Sequence, residues 1–397
     1  MKKIGAIILT TVLTAALVAG CGNNTDNNKA ANGGNSTAET IKIGMDVELS
    51  GGQASFGDSA LKGAKLAVKE INDAGGVLGK QIELIEADNA SKSEEATRAA
   101  QKLITTNKVV AIIGSTTSTN TLGIVPVAQE KGIPLVSSSA TNPKVTVDER
   151  TGKLNEWVFR ASFIDPFQGQ VMANYATDTL KAKTAVIYTD TSSDYSKGLQ
   201  TFFKETFLKN GGTILSEESY QQKDSDFKAV LTRIKESNPD VIYLPGYYEE
   251  VGKILKQARE MGITVPFMGG DGWDSPQLVE IAGADALNNT FMSNHYSPED
   301  SAPEVKSFVD AFKAANSDLV PDGMAALGYD AVKLVVDGIK RADSTEPTKL
   351  RDALAATKDL QLATGKITMN ETHDPVKAAV VLKFVDGKQT FEAKVNP

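Results

Sequence analysis

"VVAIIGSTTSTNTLGIVPVAQEKGIPLVSSSATNP", residues 109–143, holds the fold in miniature. Two apolar runs, "VVAIIGS" (109–115) and "IPLVSSS" (133–139), read as buried strands, with a helix beginning near Ser118 between them. Each run breaks at once into hydroxyls, of which Ser137, Ser138, Ser139 and Thr141 are costly to bury without partners. Such groups either cap a turn or meet something polar from outside.

The same alternation extends in both directions. Upstream, "IKIGMDVE" (41–48) and "QIELIEAD" (81–88) read as strands. Leu61, Ala64, Val68 and Ile71 recur between them at helical spacing, and "NDAGG" closes that helix. Ala96, Ala99, Ala100, Leu103 and Ile104 repeat the pattern before residue 109. Downstream, "TAVIYTD" (184–190), "TILSEESY" (213–220), "VIYLPGY" (241–247) and "PFMGGD" (266–271) form a second series, with helices expected at about 196–209, 225–237 and 249–261. Alternation of this kind predicts parallel sheets covered by helices on both faces. The fold class is therefore α/β, two doubly wound Rossmann-like lobes, expected to join through the proline-bearing segment 150–166. The late repeat "KAAVVLKFVDGKQTF" reads as a hairpin turning at "DG".

In open α/β sheets ligands sit outside the carboxyl ends of the strands. Those ends read "ELSGGQASFGD", "GSTTSTN", "SSSATNP", "TDTSSDY", "PGYYEE" and "GGDGWD", each a cluster of glycine, hydroxyl, acid or aromatic. One such cluster is ordinary turn chemistry; six on one predicted edge point to a ligand. A small zwitterion fits them. Its carboxylate would find the start of the helix at Ser118, where free N–H groups and the dipole favour an anion, with Ser139 and Thr141 nearby. Its ammonium would find Asp271, and its side chain would meet Phe56, Tyr195, Tyr247 and Trp273.

Composition narrows the alternatives. The 397 residues suit two domains. A net charge of −8, with no basic stripe, argues against nucleic acid. Two histidines and one cysteine leave no ordinary zinc or iron–sulfur ligand set; carboxylate-bound calcium stays open but has no support in the sequence, and no metal or cofactor is expected. "GGVLGKQ" (75–81) is one residue short of a phosphate loop and carries Gln81 where Ser or Thr would hold magnesium. No G-x-S-x-G elbow accompanies His295 or His373, and nothing assembles a reaction. The chain reads as a binder, not an enzyme.

The amino terminus gives the place. Lys2 and Lys3 precede an apolar stretch too short to span a membrane, ending in "LVAGC". Ala19 and Gly20 before Cys21 resemble a bacterial lipobox. That resemblance implies a signal peptide over 1–20, cleavage before Cys21 and a lipid on its sulfur. Cleavage removes Lys2 and Lys3, leaving 40 basic against 50 acidic residues, a net of −10. Residues 21–40 are Asn-, Gly-, Ser- and Thr-rich and read as a flexible tether reaching about 20–26 Å.

The lipobox, the "GSTTST" and "VSSSATNP" strand ends, "DYSKGL", "PGYYEEVGKILKQAREMG" and "FMGGDGWD" together resemble the branched-chain amino-acid-binding proteins of ABC importers, which have the type I periplasmic-binding-protein fold. The resemblance spans about residues 41–397. It implies lobes joined by three crossovers, lobe 1 over 41–160 and 290–360, lobe 2 over 161–289 and 361–397. It matches Ser118, Ser139 and Thr141, with Ala140 between the last two, to carboxylate-binding positions. Phe56 falls near the mouth of the first lobe, and Tyr195 and Tyr247 on the second-lobe aromatic wall. Asp271 falls at the ammonium-binding acid, one methylene shorter than the frequent Glu, and Trp273 is bulkier than a leucine-sized pocket suggests. The implied role is capture of a leucine-like amino acid by a monomer at the outer face of the cytoplasmic membrane or in the periplasm, for delivery to a membrane permease. The same fold could instead serve an amide, urea or small aromatic acid, or a sensor without transport.

Overall fold

The computed structural model of the chain describes residues 40–397. The expected signal peptide, Cys21 and the tether up to residue 39 lie outside the described residues.

The first series of elements runs β1 (Ile41–Val47), α1 (Ala54–Asp73), β2 (Ile82–Asp88), α2 (Ser93–Lys102), β3 (Ala111–Gly114), α3 (Ser118–Lys131), β4 (Leu135–Ser137) and β5 (Val158–Arg160). Its strands form a parallel sheet in the order β2-β1-β3-β4-β5. The second series runs α4 (Asp165–Asn174), β6 (Thr184–Asp190), α5 (Asp194–Lys209), β7 (Thr213–Tyr220), α6 (Lys228–Ser237), β8 (Val241–Tyr243), α7 (Tyr248–Glu260), β9 (Phe267–Gly269), α8 (Pro276–Ala282), α9 (Ala284–Leu287) and β10 (Thr290–Asn294). There follow α10 (Pro303–Ala315), α11 (Gly323–Ala342), α12 (Pro347–Ala355), β11 (Leu360–Leu362), β12 (Gly365–Met369), β13 (Pro375–Val376), β14 (Ala379–Val385) and β15 (Lys388–Val395). The second sheet has the order β15-β14-β10-β9-β8-β6-β7, parallel from β10 to β7 and antiparallel at β14 and β15.

The central strands are short, apolar and wholly buried: "AIIG" in β3, "VIY" in β8, "FMG" in β9. That is the signature of parallel strands covered on both faces. Strand β7 alternates half-buried with exposed residues, as an edge should. The β14–β15 hairpin turns at Asp386 and Gly387, both with positive φ (50° and 74°), the geometry that suits a two-residue "DG" turn.

Strand pairing sets where the chain changes sheet. The segment 150–166, read as a connection, contains β5 at the edge of the first sheet. The change of sheet is confined to residues 161–164, after β5 and before α4. Residues 290–294, assigned by resemblance to lobe 1, form β10 inside the second sheet, so the chain returns after Asn294. Leu362, Ile367 and Met369, expected in lobe 2, pack in the core of the first sheet with Leu327, Ile339 and Leu354. The last change of sheet falls at residues 377–378. These boundaries follow hydrogen-bonded partners, and no shift of composition marks them.

Helices α1 and α11 pack without a gap on the first sheet. A Cβ at Gly63 would lie 1.9 Å from the Ala325 carbonyl oxygen, and one at Gly328 would lie 2.1 Å from that of Ala60. Only glycine permits this approach.

Candidate functional site

Strand β1 ends in an acid that the first lobe uses internally. Glu48 is fully buried. It accepts the N–H groups of Thr116 (3.1 Å) and Thr117 (3.2 Å), both their hydroxyls, and Asn120 Nδ2 (2.9 Å). The loop before α3 is thus folded around a carboxylate of the protein itself. An external carboxylate is expected at the helix start near Ser118; the N–H groups of Thr116 and Thr117 just before it are taken by Glu48 instead. At the start of α3 the Ser118 and Thr119 N–H groups have no intrahelical partner, as at any helix start. Ser118 Oγ accepts from Asn142 N–H at 3.3 Å, which leaves its own proton to donate. Ser139 Oγ donates to the Thr116 carbonyl at 2.9 Å and keeps its lone pairs. Behind this network, burial and the neighbouring charge of Glu48 push Asp46 well above the ordinary carboxyl range, with an Asn89 hydrogen bond opposing.

The second lobe supplies an acid held on three sides. Asp271 opens a short 3-10 turn after β9 and is 2% exposed. Its Oδ1 accepts from the Tyr195 hydroxyl at 2.8 Å, and its Oδ2 lies 2.9 Å from His295 Nε2. Its N–H donates to Gln168 Oε1 at 2.8 Å, and that oxygen also takes the Ser293 hydroxyl at 2.7 Å. Burial and the nearby Asp271 raise Tyr195 well above the ordinary phenol range, so it remains a donor. Tyr195 stacks on Tyr247 with centroids 5.1 Å apart, and Phe56 meets Tyr247 edge-on at 5.7 Å.

These side chains converge. Phe56, Thr116, Ser118, Ser139, Tyr195, Tyr247, Asp271, Gly272 and Met324 line one cavity of about 10 Å³. Except for Met324 at the start of α11, they come from the carboxyl ends of β1, β3, β4, β6, β8 and β9, the edge where an open α/β sheet binds. Hydroxyls face it from one lobe, an acid and stacked aromatics from the other. The enclosed volume holds about one water, so admitting an amino acid requires the two walls to part.

Six of the expected ligand-binding residues line this cavity: Phe56, Ser118, Ser139, Tyr195, Tyr247 and Asp271. Three do not. Ala140 is buried, its N–H donating to Ser137 Oγ and its carbonyl accepting from Arg160. Thr141 is fully buried beside Asp165, whose N–H donates to its carbonyl. Trp273 is fully buried beneath Gly269 and donates its indole N–H to the Leu244 carbonyl at 3.1 Å. Thr116, Gly272 and Met324 were not anticipated, nor were the supporting Glu48, Gln168 and His295. Glu48 had a signal, an acid at the predicted ligand-binding end of a strand; Met324 had none.

The family model for periplasmic binding proteins matches residues 40–389. The chain belongs to that family. This periplasmic binding protein is 32% identical over 338 residues to the leucine-, isoleucine-, valine-, threonine- and alanine-binding protein of Pseudomonas aeruginosa, covering 85% of this chain and 87% of that one. Among solved structures it is similar to a leucine binding protein from Thermotoga maritima (TM-score 0.85, 38% identity, 90% of this chain and 99% of that chain). It is also similar to a branched-chain amino acid transporter substrate binding protein from Streptococcus pneumoniae, solved with isoleucine (TM-score 0.83, 40% identity, 90% of this chain and 100% of that chain). No helix among the described residues is long and apolar enough to cross a membrane. Among those residues, no group of three His, Cys, Asp or Glu side chains could hold a metal ion.

Proposed function

We propose that this periplasmic binding protein captures a small aliphatic amino acid of the leucine, isoleucine and valine type and delivers it to the permease of an ABC importer. One observation carries the ligand class: Asp271, an acid buried against stacked aromatics and opposite hydroxyls, in a cavity between two lobes. An ammonium meets Asp271, a carboxylate meets Ser118 with Ser139 beside it, and the side chain lies against Phe56, Tyr195, Tyr247 and Met324. The names of the similar proteins support a branched-chain ligand. One methylene in an apolar pocket is worth about 1–3 kcal/mol, so discrimination among the three amino acids is shallow. The chain acts as a monomer outside the cytoplasmic membrane, held there by a lipid on Cys21.

Thermal stability of the purified chain, stripped of ligand by unfolding and refolding, tests the ligand class against the twenty amino acids, urea, acetamide and benzoate. Leucine, isoleucine or valine at a hundred times its Kd stabilises by about 2.7 kcal/mol, a clear rise in Tm that Asp271→Ala abolishes. A rise with benzoate or acetamide alone overturns the amino-acid reading.

A further inference from the structure

On the reading that Asp271 meets the ligand's ammonium, the residue behind it acquires a role. His295 follows β10, where the chain leaves the second sheet. It is 2% exposed, and its ring stacks on Phe163 with centroids 3.7 Å apart. Phe163 lies on another change of sheet, between β5 and α4, and Lys377 on the third, between β13 and β14. His295 and Lys377 line one groove of about 330 Å³ on the crossover side. The imidazole therefore stands between the crossovers and the acid of the ligand cavity.

Its chemistry is constrained on both edges. The Asp271 carboxylate only accepts, so the 2.9 Å contact places the proton on Nε2. Nδ1 is buried without a hydrogen-bond partner. A neutral ring leaves that nitrogen bare, whereas a protonated ring would bury an unanswered N–H. The charged groups facing the ring are Asp271 and Lys377. Burial dominates and lowers its proton affinity, Asp271 opposes, and Lys377 adds to the lowering. Asp271 in turn acts on Asp165, and Lys377 is answered by Asp330.

We infer that His295 is a positioning residue for ligand binding, a neutral donor that fixes Asp271 while leaving the carboxylate's charge to the ammonium, and that it ties this contact to the crossovers. A protonated His295 would itself be a countercharge for Asp271 and would compete with the ligand. By linkage, acid that protonates the ring weakens binding.

Calorimetric titration of the full-length chain in detergent with leucine, isoleucine and valine at pH 7.5 and pH 5 tests this, using the native sequence, His295→Gln and His295→Phe, each checked for folding by thermal melting. The native chain binds about threefold or more weakly at pH 5. Gln carries a non-titrating N–H of similar reach, so His295→Gln stays within about threefold of native at pH 7.5 and loses the acid decline. His295→Phe keeps the stack but lacks the donor, and binds weaker by about tenfold or more at both pH values. If it fails to fold, the pH profiles of the other two decide alone. Identical profiles for the native chain and His295→Gln overturn the inference while leaving the ligand assignment intact. No binding of any of the three by the native chain overturns the ammonium site, and this inference with it.

Discussion

Asp165 shows how an acid that never meets the ligand shapes the behaviour of the protein around it. It heads α4, fully buried, and neither carboxyl oxygen has a hydrogen-bond partner. Burial pushes its pKa up to about 8, with Asp271 adding and Arg160 opposing. The folded protein thus holds a proton at neutral pH that the unfolded chain releases near 3.8. The stability this contributes is full below about pH 4 and is lost as pH rises through about 8. Asp165→Asn copies the neutral form, so thermal melts should show a higher Tm than native at pH 9 and little difference at pH 5; equal shifts at both would show that the proton is not there. Glu48 differs in that both its carboxyl oxygens have hydrogen-bond donors within reach. Glu48→Gln turns an amide toward the Thr116 and Thr117 N–H groups and should cost about 2 kcal/mol or more in urea unfolding, with leucine affinity falling because Ser118 and Ser139 lose their footing. Adjacent residues explain why the site was only partly legible. Asp271 and Trp273 share one 3-10 turn, yet one faces the cavity and the other lies beneath Gly269. Ser139 and Thr141 diverge in the same way. Sequence proximity names the loop, not the face.

Elements were more legible than side chains, because a buried strand that stops in a cluster of glycine, hydroxyl, acid or aromatic residues announces both its core and its open end. The runs at β1, β3, β4, β6, β8 and β9 all carry that signal. Strand β5 does not: it has three residues, and Arg160 among them is buried through an ion pair at 2.7 Å with Asp374, more than two hundred residues away. Its charge read as a connection because the partner is invisible locally. The α1–α11 contact was equally hidden, since it rests on Gly63 and Gly328 in helices far apart in sequence. Gly63→Ala drives a methyl into the Ala325 carbonyl and should destabilise by about 1–3 kcal/mol, measured by urea unfolding; an unchanged midpoint would mean that the helices can separate freely.

Across the whole molecule, the two lobes touch through residues next to those that line the cavity. Phe56, carried by the first lobe, packs in the core of the second. Ser55 Oγ lies 2.8 Å from Ser275 Oγ, and Asn142 Nδ2 donates to the Asp194 carbonyl at 2.7 Å. With Phe56, Tyr195 and Asp271 all 3% exposed or less, a ligand enters only when these contacts break. A Ser55→Cys/Ser275→Cys pair, oxidised and confirmed by mass, should therefore stop leucine exchange until reductant is added, whereas exchange at the reduced rate in the cross-linked protein would refute lobe opening as the route. The central claim concerns charge: the ligand is an ammonium-bearing amino acid met by Asp271. Calorimetric titration of the native chain and Asp271→Asn with leucine and with 4-methylpentanoate, which lacks only the amino group, tests it most directly. The account predicts that leucine binds the native chain, that the deaminated acid binds at least about tenfold more weakly, and that Asp271→Asn loses most of that preference. Equal affinity of the native chain for both compounds would contradict it.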